Sequence, residues 1–258
     1  MKRVKTRTDS GVVCEMKVFN VSERTDVKNA KPPRPRFKND AEREAHRVAM
    51  SRKLNVQLVN ANFSPSSLYS TLTFDDENEP LTFKEARHIR DNFIARLKYH
   101  APEARIMIYM GRGKHTHRIH AHMLSEGVSE DLIIKLWGMG DIRRVEHLRA
   151  HNYYNGIDHG PDYTGLANYL FNHWTPEQGG RRRWKQTANL LRPDTKKPKV
   201  IKREYTLKKP PHTPKGYILV ESRASEYGYL YFKYVRKPES QKRWQSKPQR
   251  KEAGETGL

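Results

Sequence analysis

The alternation of apolar and polar positions is clearest in the middle of the chain. Leu68-Tyr69-Ser70-Thr71-Leu72-Thr73-Phe74 alternates and is rich in β-formers, which predicts a half-buried strand ending at the acidic turn Asp75-Asp76-Glu77. The pattern then changes period. Phe83, Ala86, Ile89, Phe93, Ile94 and Leu97 fall on one helical face, opened by the T-x-x-E capping spacing of Thr82 and Glu85. Beyond Pro102, Arg105 to Met110 predicts a strand, Gly111 to Lys114 a turn, and Arg118 to Leu124 the returning strand of a hairpin.

The flanking segments are less regular. Residues 1–37 read as a basic lead with one short strand at Val12 to Phe19, and residues 39–60 as a helix capped by Asn39 or Asp40. Ser129 caps a short helix that stops at Trp137 before Gly138, and Asp141 to His147 predicts a further strand. Residues 149–162 read as a loop, and Tyr163 to Trp174 as a helix closed by Pro176. Tyr217 to Val220 and Tyr229 to Val235 are strand-like, with Tyr205 to Leu207 a weaker third. Strands and helices mix without regular βαβ alternation. The expected class is α+β: an antiparallel sheet of about five strands with helices on one face, leaving the other face free for a site. The expected divisions are a basic extension at 1–38, one domain at 39–236, and a solvated basic tail at 237–258.

Charge adds a partner to this picture. Lys plus Arg number 50 against 29 Asp plus Glu, a net charge of +21, and such a field attracts polyanions, nucleic acid first among them. Arg181-Arg182-Arg183-Trp184-Lys185 mixes cations with an aromatic, which suits a single strand whose backbone takes charge and whose bases take a stacking surface. The only cysteine is Cys14, and the longest uninterrupted apolar run, Ile106 to Met110, is far too short to span a bilayer. A basic start with no apolar run behind it does not read as a signal peptide, so the expected location is cytoplasmic.

Two features carry candidate chemistry. In the strand Arg118 to Leu124, His120 and His122 project to one face while Ile119, Ala121 and Met123 project to the other. Neutral imidazoles so placed can share a metal ion. His115 and His117 lie just upstream and leave a structural zinc cluster open, although zinc sites without thiolates are usually catalytic. Tyr163, Tyr169 and the pair Tyr153-Tyr154 follow. Tyr169 stands at the edge of an amphipathic helix, where a tyrosine most often packs but can present its hydroxyl as a nucleophile. A phenol ionises only near pH ~10, so it needs a polarised target, such as a phosphate bound to a divalent cation.

Taken together, the strand Leu72-Thr73-Phe74, the His120-Ala121-His122 strand and the Tyr169 helix resemble, in order and spacing, the phage and plasmid rolling-circle initiators of the HUH endonuclease superfamily. Arg52-Lys53-Leu54, Asn60-Ala61-Asn62-Phe63, Leu136-Trp137-Gly138, Gly165-Leu166-Ala167-Asn168-Tyr169-Leu170 and Arg183-Trp184 extend the likeness to the Firmicute-type initiators, over residues 45–235. The resemblance implies a ferredoxin/RRM-like HUH fold. It further implies Mg²⁺ or Mn²⁺ held by His120 and His122 with His117 as a third candidate, Tyr169 as nucleophile with Tyr163 as alternate, and a 5′-phosphotyrosine intermediate. The implied substrate is single-stranded DNA or an origin hairpin, with a host helicase and polymerase as further partners. A DNA- or RNA-binding module without chemistry and an HUH-type transposase are the alternatives. Two positions depart from the family pattern. Met110 stands where a ligand Glu often precedes the glycine turn, which leaves the third ligand to His117 or a water, with Glu126 and Asp75 as outside candidates. Asn172 stands where a Lys often follows the tyrosine, so Lys185 or Arg181 to Arg183 would supply that charge.

Overall fold

The computed structural model describes residues 1–32, 36–179, 182–225 and 228–238. In chain order the elements are β1 (Lys2–Ser10), β2 (Val13–Val21), α1 (Asp40–Asn62), β3 (Leu68–Thr73), α2 (Phe83–His100), β4 (Arg105–Arg112), β5 (Ile119–Glu126), α3 (Glu130–Trp137), β6 (Ile142–His147), β7 (Tyr153–Tyr154), β8 (Ile157–Asp158), α4 (Thr164–Phe171), β9 (Lys185–Gln186), β10 (Asp194–Thr195), β11 (Lys199–Val200), β12 (Tyr217–Ala224) and β13 (Leu230–Arg236). The class is α+β with antiparallel sheets. No helix among the described residues is long and apolar enough to cross a membrane.

The helix starts follow from side chains that satisfy otherwise unpaired N–H groups. Asn39 Oδ1 accepts from the Glu42 N–H at 2.8 Å, Thr82 Oγ1 from Glu85 at 3.2 Å, and Ser129 Oγ from Leu132 at 3.3 Å. Gly138 ends α3 at φ +56°, a left-handed conformation that a side chain would strain.

The central sheet runs β6-β3-β5-β4-β9, with the histidine strand β5 in the middle. Its two faces bury different clusters. Leu72, Ile106, Ile108, Ala121 and Met123 pack on one face against Phe93, Leu97 and Trp137 of α2 and α3. Tyr69, Met107, Tyr109 and Leu124 pack on the other against Leu58 and Val59 of α1 and Ala167 and Leu170 of α4. Helices therefore cover both faces, not one. The sequence hides this because α1 docks through asparagines as much as through apolar residues. Asn55, fully buried, donates to the Ala167 carbonyl at 2.8 Å and accepts from the Tyr109 hydroxyl at 2.7 Å. Asn60 Oδ1 accepts from the Tyr163 N–H at 2.9 Å.

A second sheet, β10-β1-β2-β13-β12 with β11 also on β1, joins the chain's beginning to its later strands. Residues 2–21 are thus a nine-residue hairpin pair, not a basic extension, and β12 and β13 belong to this sheet instead of the central one. The first strand, Lys-Arg-Val-Lys-Thr-Arg-Thr-Asp-Ser, escapes the periodicity because Val4 is its only apolar residue; Thr8 and Ser10 fill the other buried positions. Residues 205–207 form no strand; Tyr205 packs against this sheet's core. Residues 149–162 hold the small β7–β8 hairpin within the expected loop. The expected tail lies outside the described residues beyond position 238.

The two sheets meet through buried ionic groups. Lys233 Nζ of β13 lies 2.8 Å from Asp162 Oδ2 and 2.7 Å from Thr164 Oγ1, at the entry to α4. Burial pushes the Asp162 carboxyl up, but the Lys233 charge and the hydrogen bonds from Lys233 and Thr164 outweigh it and hold the carboxyl below its ordinary range. Glu15 of β2 likewise pairs with Lys53 of α1 at 2.8 Å and accepts from the Tyr231 hydroxyl at 2.6 Å. Removing one partner of a buried pair strands the other charge. Lys233→Met is therefore expected to cost about 3–5 kcal/mol of stability in urea titration; a change below about 1 kcal/mol would show that this pair does not join the sheets.

Candidate metal centre and tyrosine

Strand alternation places His120 and His122 of β5 on the face that carries α1 and α4. A third imidazole meets them from beyond the end of α4. The ligand nitrogens of His120, His122 and His173 all lie within 4.8 Å of one another. His122 Nε2 stands 3.1 Å from His173 Nε2, and the rings of His120 and His122 are 4.9 Å apart.

Hydrogen-bond partners assign the protons. His173 Nδ1 faces the Tyr169 carbonyl at 3.0 Å. A carbonyl only accepts, so Nδ1 carries the hydrogen and Nε2 presents a bare lone pair. His122 Nε2–H then donates to that lone pair, and His122 Nδ1 accepts from the Tyr69 hydroxyl at 2.7 Å, with Thr71 Oγ1 at 3.3 Å. If the His122 hydrogen sits on Nδ1 instead, donating to the Tyr69 oxygen, two Nε2 lone pairs face one space. Two ligands at right angles, each about 2.1–2.2 Å from one ion, lie about 3 Å apart, which matches this pair. Tyr69 is then the outer group that orients the ligand.

The electrostatics suit neutral ligands. Burial, with the charges of His173 and His120, drives the His122 imidazole down to about 3, and burial lowers His173 as well, against the opposing hydrogen bond to Tyr169. The donor set is all nitrogen. Of Mg²⁺ and Mn²⁺ it favours Mn²⁺, because Mg²⁺ demands oxygen ligands, and it equally matches the three-imidazole set of catalytic zinc.

Space for the third imidazole comes from a glycine. Gly111 pairs with His120 across the hairpin, and a Cβ there would lie 3.0 Å from His173 Cδ2 and 3.3 Å from His120 Nε2. Gln178, buried, fixes the adjoining backbone by donating through Nε2 to both the Met110 and the His173 carbonyls at 3.0 Å.

Tyr169 is half-exposed beside this group. Its ring lies 4.4 Å from that of His173 and 5.9 Å from that of His122. A cleft of about 310 Å³ continues from it, lined by Tyr69, Arg144, His147, Arg149, Leu166 and Tyr163 among others. Tyr163, the alternate nucleophile, is buried and donates to the Arg149 carbonyl at 3.1 Å; burial raises its phenol strongly.

Other expected residues fall elsewhere. His117 sits exposed in the hairpin turn at φ +55° and is not in the imidazole group, nor is His115. Met110 is buried in the α2–α3 core on the opposite face, so it holds no position at the centre. Glu126 accepts from Ser66 and Ser67 at the far end of β5, and Asp75 accepts from the Asn78 backbone. Trp184 is no free stacking platform. Its ring packs near Tyr109 and Phe171, and its Nε1–H donates to Gln186 at 2.7 Å. Lys185 pairs with β4 as part of β9 and reaches Asp91 at 3.4 Å, whereas Arg182 is exposed and lines a cleft with Ser51. Arg181 lies outside the described residues. Sequence reasoning did not single out His173; its spacing of four residues after Tyr169, one helical turn, is the signal that points to it.

Comparison with protein-family models, curated proteins and solved structures gives no match to this chain.

Two outcomes follow from this geometry. Gly111→Ala forces His120 and His173 apart by tenths of an ångström, and calorimetric titration should show Mn²⁺ affinity reduced about tenfold or more; unchanged affinity would remove the imidazoles from the binding site. Because the folded pKa of His122 is depressed, its contribution to apoprotein stability is intact above the ordinary imidazole value of about 6.5 and is lost as pH falls from there towards about 3. Thermal melting between these limits should fall less steeply in His122→Gln than in the parent, and equal slopes would contradict the assignment.

Proposed function

We propose that this protein is a metal-dependent endonuclease and strand transferase that nicks and rejoins single-stranded DNA through Tyr169, in the manner of HUH rolling-circle replication initiators. The observation that carries the reading is the half-exposed Tyr169 phenol set against the imidazole group formed by His120, His122 and His173. The central position of the histidine strand in a five-stranded antiparallel sheet supports a ferredoxin-like HUH arrangement. The net charge of +21 supports a nucleic-acid substrate, either a single strand or an origin hairpin.

A bound divalent ion would neutralise and polarise a phosphate oxygen. His120, His122 and His173 would hold it, with Tyr69 and the Tyr169 carbonyl keeping two of the rings in register. Tyr169 Oη attacks the phosphorus, the bond to the 3′ oxygen breaks, and the phenolic proton ends on the released 3′ hydroxyl. The phosphotyrosine retains the energy of the broken diester, so the reverse step rejoins the strand. The 3′ hydroxyl is the end that a replication polymerase extends, with a helicase opening the duplex. The cleft beside Tyr169 has room for the nucleotide next to the scissile phosphate.

A binding module without chemistry was motivated by Met110 and Asn172. Met110 faces the opposite core, so it marks no lost ligand at this centre, and Asn172, at the place of the lysine, holds the Arg52 guanidinium. The transposase reading shares every step above and differs in what is joined.

The experiment is direct. A pool of 3′-labelled random-sequence single strands is incubated with the protein and Mn²⁺ and resolved on a denaturing gel. A labelled protein adduct is expected, absent from Tyr169→Phe and reduced about 10³-fold or more in His122→Ala. An adduct that persists in Tyr169→Phe, or no adduct in any pool, would overturn the reading.

A further inference from the structure

Two guanidinium groups converge on one aromatic ring at the end of the tyrosine helix. Arg52 Cζ of α1 lies 4.6 Å from the centroid of Phe171, and Arg183 Cζ lies 4.5 Å from the same centroid. Arg183 also stands 4.4 Å from the Trp174 ring. Arg52 donates through Nη2 to Asn172 Oδ1 at 2.9 Å. Neither arginine forms an ion pair among the described residues; the nearest acid acting on Arg183 is Glu44, which bridges to Arg47 and attracts Arg183 only through its charge. The Nε1–H of Trp174, the residue after His173, is buried without an acceptor among the described residues.

Holding two like charges on one ring, half out of water, is unfavourable unless an anion joins them. Both groups are planar forks that match phosphate oxygens two at a time. Burial first, and then the neighbouring Arg52, make Arg183 less basic than an ordinary arginine, and the attraction of Glu44 does not offset them.

We propose that Arg52 and Arg183 form a clamp for a backbone phosphate of single-stranded DNA, next to the phosphate that Tyr169 attacks. The choice of strand and neighbour rests on the nicking reading; the crowded cation pair does not. Asn172, which anchors Arg52, lies three residues after Tyr169, about 4.5 Å along the helix axis at 1.5 Å per residue. This is of the order of one step along a nucleic-acid backbone. The Phe171 ring holds both guanidiniums by cation–π contact, so the clamp is formed before the strand arrives.

The test uses fluorescence anisotropy of a short mixed-sequence single strand over a salt series, on full-length protein. Arg52→Gln keeps an amide donor for Asn172 and removes the charge, and Arg183→Gln removes the second charge. The double variant should bind about tenfold more weakly, with a log affinity against log salt slope shallower by about 0.7, the value for one lost phosphate contact on a single strand. Mn²⁺ affinity should not change. An unchanged slope, or no binding by the parent protein, overturns the clamp. If the double variant does not fold, Arg183→Gln alone gives the same readout. Failure of the nicking reading shows separately, as a missing covalent adduct in the parent while the slope change persists. Failure of the clamp shows as an unchanged slope while the adduct forms.

Discussion

One hydrogen bond organises the centre. The Tyr169 carbonyl can only accept, so the hydrogen of His173 must sit on Nδ1, and its other nitrogen is left with a bare lone pair 3.1 Å from His122. The same turn of backbone therefore carries the candidate nucleophile and orients the candidate ligand. Moving either moves the other. A lone pair held at that distance from a second imidazole needs a hydrogen or a cation between them, and burial disfavours the protonated ring.

Much of the remaining structure serves to hold that turn in place. Asn55 and Asn60 grip α4 at Ala167 and Tyr163, and the Lys233–Asp162 pair fixes its entry from the second sheet. Gln178 ties His173, two residues past the helix, to β4, and Gly111 leaves room for its ring. Short helices are marginal on their own, and α4 has eight residues, so its position depends on these partners more than on its own propensity. The second sheet reaches the centre through Lys233 at the entry to α4 and through Glu15, paired with Lys53 of α1, which gives an otherwise distant element a part in the geometry.

The sequence made some of this legible and concealed the rest, for physical reasons. The same-face projection of His120 and His122 follows from β alternation alone. The Thr82 and Ser129 caps follow from side-chain chemistry and are present as expected. Alternation also contained the answer on Met110. In a strand where Ile106 and Ile108 face one core, Met110 must face it too, one residue away from Tyr109 and Gly111 on the histidine side. The third imidazole was harder, because His173 lies past the helical stripe and owes its place to the fold of the segment after α4. The first strand was masked by its cations. The asparagines of α1 were masked because polar residues do not register as a packing face, although here they satisfy the backbone of a neighbouring helix. Trp184 looked like a stacking surface because composition cannot say which way a ring faces.

The central claim is that three imidazoles hold one divalent ion beside a tyrosine. Pulsed electron paramagnetic resonance on the Mn²⁺-loaded protein counts the coordinated histidine nitrogens directly. The account predicts couplings from three imidazoles in the parent and from two in His173→Ala. Mn²⁺ that binds without imidazole coupling, or a spectrum that His173→Ala leaves unchanged, would contradict it.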